Sequence, residues 1–151
     1  MNNSKVINQN IFSIYLAEDD MEDQEIFKDA LAELETIVNL TLFSNGQELI
    51  MALQSQPQRP DMIFLDLYMP KMDGEECLNI IRNNESLDNI PIVIYSNEYN
   101  LDRIEKLFSL GANRYLRKPD SYSSLVASLD KTVNSVKRNA LGGTAIININ
   151  V

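Results

Sequence analysis

A short apolar run, Met62 to Leu65, ends at Asp66 and passes at once into a turn-forming segment that contains Pro70 and Gly74. Strands buried on both faces of a parallel sheet have this kind of uninterrupted apolar sequence. In open α/β sheets, ligands bind beyond the carboxyl ends of the strands. The run therefore predicts a central strand of an α/β sheet, and Asp66 is the first candidate for a functional residue.

Polar residues also follow other strand-like runs of the chain. Three such runs end in polar residues: 11–17 in Glu18-Asp19-Asp20, 92–95 in Ser96, and 114–117 in Lys118-Pro119. Taken singly, each of these residues is typical of a helix cap, a turn or a solvated surface. Because parallel strands end at one edge of a sheet, we expect acids, a hydroxyl and an ammonium group to converge there with Asp66.

Segments with helical apolar spacing separate the strand-like runs. We predict helices over about 20–34, 47–54, 74–83, 101–108 and 123–137, and a half-exposed edge strand over 38–43. The first helix is expected to turn Ile26 and Phe27 to the core, and the third Cys77, Ile80 and Ile81. Strands that alternate with helices predict a doubly wound α/β fold, a flavodoxin-like five-stranded parallel sheet of order 2-1-3-4-5.

Taken together, the motifs resemble a known family. Their order and spacing are similar to the signature of the response-regulator receiver domain of two-component signalling over about 13–136: Glu18-Asp19, Asp66, Met69-Pro70, Gly74, Ser96 and Lys118-Pro119. The resemblance implies that a histidine kinase or a histidine phosphotransfer protein phosphorylates Asp66. We predict a receiver domain over 11–138 and a C-terminal tail over 139–151 that is too short for an output domain.

The resemblance also implies a magnesium site. A carboxylate accepts a phosphoryl group when a divalent cation offsets the charge repulsion, and Mg²⁺ prefers oxygen ligands with one or two carboxylates. The implied ligands are Asp19 and Asp66 directly, Glu18 directly or through water, and Tyr68 through its backbone carbonyl.

Three residues receive roles in phosphoryl binding and switching from the resemblance. Ser96 Oγ and the Lys118 ammonium are expected to hold phosphoryl oxygens, with a cis Lys118–Pro119 bond aiming the lysine. Tyr115 is similar to the aromatic switch residue that moves with Ser96; taken alone, it is an ordinary surface aromatic of an edge strand. Phosphorylation then favours one arrangement of the face that the fourth helix, fifth strand and fifth helix form, and this face binds a downstream protein.

The lifetime of the phosphoryl group depends on whether water can reach phosphorus. By the same resemblance Tyr68 and Glu98, two residues beyond Asp66 and Ser96, flank that path. Because the Tyr68 ring is bulky, we expect slow self-dephosphorylation, lasting minutes or longer. The protein would assist its own phosphorylation and dephosphorylation without being an enzyme for other substrates.

Composition excludes several classes of function. The 151 residues carry a formal charge of −9 and lack the Lys/Arg clusters that bind nucleic-acid phosphates, so we expect no DNA partner. No apolar stretch approaches the ~18 residues that span a bilayer, and the single cysteine suits a reducing compartment, so a cytoplasmic protein is expected. The absence of histidine excludes His-ligated zinc, Ser-His and Cys-His nucleophile pairs, and a histidine phosphotransfer role.

Two other functions compete with the receiver. A haloacid-dehalogenase-like phosphatase also forms an aspartyl phosphate with Mg²⁺, but it requires an acid two residues after the nucleophile, where this chain has Tyr68. A receiver that binds partners without phosphorylation is the other alternative, although the groups that phosphorylation requires are all present.

The tail has the alternation of a strand. Ala145, Ile147, Ile149 and Val151 form an apolar ridge after the hinge Gly142-Gly143. Because an exposed strand pairs with an available sheet edge, we predict that residues 144–151 add to an edge, within the chain or across a homodimer. A disordered tail is the alternative.

Overall fold

Parallel strands form the centre of the structure, a computed structural model that describes residues 11–55, 57–142 and 145–147. Within these ranges the chain forms a six-stranded sheet of order β2-β1-β3-β4-β5-β6. Its strands are β1 Phe12–Ala17, β2 Val38–Phe43, β3 Met62–Leu65, β4 Ile92–Ser96, β5 Arg114–Arg117 and β6 Ala145–Ile147. All neighbouring strands pair in parallel, so their carboxyl ends share one edge.

Helices connect the strands. They are α1 Met21–Ala32, α2 Gly46–Ser55, α3 Gly74–Arg82, α4 Leu101–Ser109 and α5 Tyr122–Arg138, with a short 3₁₀ helix at Glu85–Leu87. The helices begin at polar caps: the Asp20 carboxylate accepts the Asp23 amide hydrogen, and Asp73 and Glu76 form a capping box. The flavodoxin-like fold with an extra C-terminal strand is confirmed. None of the described helices is long and apolar enough to cross a membrane.

Two apolar layers cover the sheet, one on each face. Helices α1 and α5 pack with residues such as Ile14 and Phe64 on one face, and α2, α3 and α4 pack with Ile63 and Leu65 on the other. This arrangement explains why β3 is apolar at every position: both of its faces are buried.

The predicted core contains two errors. Ile26 and Ile80 were expected to face the core, but they are 42% and 38% exposed. On α3 the buried positions are Gly74, Cys77, Leu78 and Ile81, and Ile80 lies one position outside that stripe. A sequence period gives the direction of an apolar face, whereas its width depends on how closely the neighbouring helices pack.

Strand β6 extends the sheet beyond β5. Its register pairs Tyr115 with Ile146 and Leu116 with Ile147. Ile146 packs against the layer of α2, α3 and α4, and Ile147 packs in the opposite layer. The strand is therefore apolar on both faces rather than along one ridge, and it pairs within its own chain. Exchange across a homodimer stays a prediction, and Ile149 and Val151 lie outside the described residues.

Candidate functional site

Sheet hydrogen bonds continue past the strand ends and position the candidate residues. The Glu18 amide donates to the Phe43 carbonyl at 2.9 Å, and the Asp66 amide donates to the Ala17 carbonyl at 3.1 Å. The Lys118 amide donates in the same way to the carbonyl of Ser96, at 2.9 Å. The backbone thus holds these residues at one sheet edge before any side chain makes a contact.

A tight loop after β3 closes against Asp66. The Gly74 amide donates to the Leu67 carbonyl at 2.9 Å, and a Cβ at Gly74 would overlap the carbonyl oxygen of Asp66. Lys71 has a φ of 69°, which is uncommon for a residue other than glycine. The loop needs glycine at position 74 because its backbone approaches the strand end so closely.

Three carboxylates form a cluster at this edge. Oxygen atoms of Glu18, Asp19 and Asp66 lie within 4.8 Å of one another; Glu18 and Asp66 are buried, and Asp19 is exposed. Burial raises the pKa of Glu18 to about 7, with the charge of Asp66 adding to the shift and Lys118 opposing it. Burial likewise raises the pKa of Asp66. Negative charges held this close favour a bound cation, and the available ligand atoms are all oxygens. A hard divalent cation such as Mg²⁺ fits such a site.

The Lys118 ammonium lies among the acids. Its Nζ donates to Glu18 Oε1 at 2.8 Å and to Asp23 Oδ2 at 3.3 Å, and lies 3.7 Å from Asp66 Oδ2. Burial works to lower the pKa of Lys118, but the bond to Glu18 and the negative charges of Asp66 and Asp23 outweigh it and raise that pKa. The ammonium also lies 5.1 Å from the centre of the Tyr95 ring.

Two features of the lysine differ from expectation. The prediction of a cis Lys118–Pro119 bond is wrong, because the described residues contain no cis peptide bond. A trans bond, which X-Pro pairs favour by about 0.5–1 kcal/mol, already brings Nζ to the acids. Asp23 was also missed as a partner. Its place in the first turn of α1, next to the acidic strand end, is the signal that could have indicated it.

Ser96 and Tyr115 meet at the backbone of Glu98. Ser96 is buried, and its Oγ accepts the Glu98 amide hydrogen at 3.1 Å. The buried Tyr115 hydroxyl donates to the Glu98 carbonyl, so Tyr115 is not a surface aromatic. Because β6 pairs along β5, Tyr115 does not lie in an edge strand. The two predicted switch residues therefore hold the same peptide segment.

Tyr68 lies at the rim of the site. Its amide donates to Asp66 Oδ1 at 3.4 Å, and its hydroxyl donates to Glu98 Oε1 at 2.9 Å. That hydrogen bond is the main reason why the pKa of Tyr68 is raised. Arg103 of α4, which no sequence pattern indicated, lies over the Tyr68 ring. The Tyr68 carbonyl as a metal ligand stays a prediction.

Comparison with known proteins settles the family. The family model of the response regulator receiver domain matches residues 14–130. The chain belongs to this receiver family. Response regulator Rcp1 of Synechocystis sp. is 32% identical over 117 residues, which cover 74% of this chain and 80% of Rcp1. Membership of the receiver family rules against the haloacid-dehalogenase-like alternative.

Solved receiver structures share the fold. The phosphorylated cyanobacterial phytochrome response regulator RcpA has a TM-score of 0.77 and 29% identity, with 88% of this chain and 98% of RcpA covered. The Mn²⁺-bound form of Rcp1 has a TM-score of 0.71 and 30% identity, with 86% and 94% covered. Receiver domains bind Mg²⁺ or Mn²⁺ in an acidic pocket, and this receiver has its acidic cluster at the carboxyl edge of the sheet.

Proposed function

We propose that this receiver domain is a phosphoacceptor: a histidine kinase or a histidine phosphotransfer protein phosphorylates Asp66, and the phosphoryl group switches a protein-binding face. One observation carries the proposal, the convergence of a buried carboxylate, two further acids and a partly buried ammonium at one sheet edge. A structural site would balance these charges, whereas this one holds more negative than positive charge.

The transfer forms one bond and breaks one. A carboxylate oxygen of Asp66 attacks phosphorus, the bond from phosphorus to the donor imidazole nitrogen breaks, and the imidazole takes up a proton from solvent. Glu18, Asp19 and Asp66, with the Tyr68 carbonyl, would hold Mg²⁺. When bound, Mg²⁺ supplies the positive charge that offsets repulsion between the acids and the incoming phosphoryl oxygens.

Lys118 and Ser96 then hold the transferred group. Lys118 Nζ, already 3.7 Å from Asp66 Oδ2, is a mobile point charge that can exchange part of its contact with Glu18 for a phosphoryl oxygen. The Ser96 oxygen accepts from Glu98, and its own hydroxyl hydrogen can turn to donate to a phosphoryl oxygen.

Switching follows from the shared contact with Glu98. Any shift of Ser96 toward the phosphoryl group would pull or break the hydrogen bond from the Glu98 amide to Ser96 Oγ. Tyr115 donates to the carbonyl of the same residue. Phosphorylation would therefore change how tightly Tyr115 is held. The arrangement of the face that α4, β5 and α5 form would change with it. We propose that this face binds a downstream protein, or a second copy in a homodimer, and that the protein acts in the cytoplasm without binding DNA.

The proposed domain boundaries are those predicted from the sequence. Residues 11–138 form the receiver domain, and residues 139–151 form a tail whose described residues, 139–142 and 145–147, include β6. The pairing of β6 with β5 supports a tail that completes the sheet next to the binding face.

Intact mass tests the phosphoacceptor. After incubation with acetyl phosphate and Mg²⁺, the native chain should gain about 80 Da, the mass of one phosphoryl group. Asp66→Asn should gain nothing, and Asp88→Asn, a change of an exposed acid away from the site, should gain the same mass as the native chain. Equal labelling of Asp66→Asn and the native chain would refute the assignment.

A further inference from the structure

The Tyr68 side chain links two loops at the rim of the site, and this rim is the mouth through which solvent reaches Asp66. The Tyr68 backbone follows Asp66 in the loop after β3, and the Tyr68 hydroxyl reaches the Glu98 carboxylate in the loop after β4. The side chain therefore joins the two loops that flank Asp66. It remains 55% exposed, so burial does not hold the ring in place. The ring stays at the mouth because of specific contacts.

Arg103 supplies one of those contacts from α4. Its guanidinium carbon lies 5.9 Å from the centre of the Tyr68 ring, within the range of a cation–π interaction. Its Nη2 atom lies 3.4 Å from Glu75 Oε1 on α3. The guanidinium thus contacts the Tyr68 ring and the Glu75 carboxylate of the neighbouring helix.

One nitrogen of Arg103 has an unusual environment. Its Nε is buried and is the one buried side-chain nitrogen or oxygen in the described ranges without a hydrogen-bond partner. A buried donor without a partner has a free-energy cost, so the other contacts of the guanidinium must offset that cost. The contacts with the Tyr68 ring and with Glu75 account for its position.

We propose that Arg103 is a positioning residue that holds Tyr68 across the mouth of the site and thereby lengthens the life of the phosphoryl group. This inference rests on the proposed phosphorylation of Asp66. Loss of the group requires a water oxygen to attack phosphorus while the bond from phosphorus to the Asp66 oxygen breaks, giving the carboxylate, inorganic phosphate and a proton released to solvent. Without Arg103 the exposed ring leaves the mouth more often, and water enters.

Helix α4 then influences the site by two routes. Tyr115 of β5 contacts the Glu98 carbonyl in the loop after β4. Arg103 of α4 instead contacts the Tyr68 ring directly. A partner that moves α4 would therefore change the rate of phosphoryl loss through Arg103.

Lys106 offers a matched control. It lies one turn further along α4 and pairs with the same carboxylate, with Nζ 3.2 Å from Glu75 Oε2. Arg103→Ala and Lys106→Ala each remove one ion pair with Glu75, but Arg103→Ala alone also removes the cation over Tyr68.

The experiment follows the loss of phosphoryl by intact mass after acetyl phosphate is removed. Arg103→Ala should lose the group about two- to fivefold faster than the native chain, which is the change a cation–π contact at an exposed side chain supports. Lys106→Ala should match the native rate. Arg103→Lys, which keeps a cation near the ring, should recover part of the effect. Equal rates for Arg103→Ala and Lys106→Ala would overturn the proposal.

A double substitution separates positioning from general loosening of α4. In a Tyr68→Ala background the ring is gone, so adding Arg103→Ala should leave the rate of phosphoryl loss unchanged. An undiminished further increase would overturn the proposal while the phosphorylation of Asp66 stands. If the native chain takes up no phosphoryl group at Asp66, the proposed function fails and this inference fails with it.

Discussion

Arg114 and Lys118 place positive charges at opposite ends of β5, one buried and one partly buried, with different partners. Arg114 begins the strand and is 2% exposed. Its guanidinium donates to the carbonyls of Ala140 at 2.9 Å and Asn139 at 2.8 Å, and to Ser135 Oγ at 3.2 Å. These partners are neutral, and burial lowers the pKa of Arg114. These hydrogen bonds connect the end of α5 and the start of the tail to the sheet.

Lys118 follows the other end of the strand, among three carboxylates. One ammonium cannot neutralise Glu18, Asp23 and Asp66 together. A buried cation with neutral partners is complete without a ligand, whereas one among excess acids leaves a place for a second cation. At the two ends of β5, therefore, the partners of the charge rather than its burial distinguish the structural site from the functional one.

The largest effect on stability is expected at Arg114. Arg114→Met should lower the free energy of unfolding by about 3 kcal/mol, because it removes the charged hydrogen bonds that the buried side chain makes to Ser135, Asn139 and Ala140. Mg²⁺ should recover none of this loss. Urea unfolding with Mg²⁺ and with EDTA measures both values, and recovery by Mg²⁺ would show that Arg114 is not independent of the acidic site.

The matched change at the other end is Lys118→Met. In EDTA it should lower the free energy of unfolding by about 2 kcal/mol, because buried acids lose their counter-ion. Here Mg²⁺ should recover the loss, since it binds the same acids and no longer competes with the ammonium. The same urea titrations test this. If the Lys118→Met loss persists in saturating Mg²⁺, the lysine is structural in the way that Arg114 is.

The metal should stabilise the native chain by mass action. At ten times its dissociation constant, Mg²⁺ should add about 1.4 kcal/mol. Asp19→Ala should abolish the rise and leave the metal-free protein as stable or more stable, because it relieves repulsion among the acids. Asp29→Ala, which changes an exposed acid of α1, should keep the rise. Thermal melts over a Mg²⁺ series provide the measurement, and a rise retained by Asp19→Ala would exclude it as a ligand.

The smallest effect is a pH dependence without metal. Burial raises the pKa of Glu18 from 4.5 to about 7, so the folded state binds this proton more tightly than the unfolded state does. Stability in EDTA should therefore rise as pH falls from about 8 to about 6. Because the chain has no histidine, no unshifted side chain titrates in this window. Glu18→Gln should flatten the profile, and an unchanged slope would assign the proton to another group.

Much of this architecture follows from local sequence. The apolar run before Asp66, the polar residues after each strand and the caps of α1 and α3 depend on neighbours in the chain, which is why period and turn chemistry predicted the strands, their common edge and the residues that meet there. The extra strand was also predictable, because the sequence of residues 144–151 has the alternation of a strand, although β6 itself is apolar on both faces.

Contacts between distant segments were decided by tertiary structure alone. Packing turned Ile26 and Ile80 outward, and the approach of α1 to the end of β5 made Asp23 a partner of Lys118. The contact of Arg103 with Tyr68 likewise joins α4 to the loop after β3. Local sequence determines which residues stand at a strand end because the chain itself links them. The partners of a side chain from another element depend on how closely the layers pack, which only the assembled fold determines.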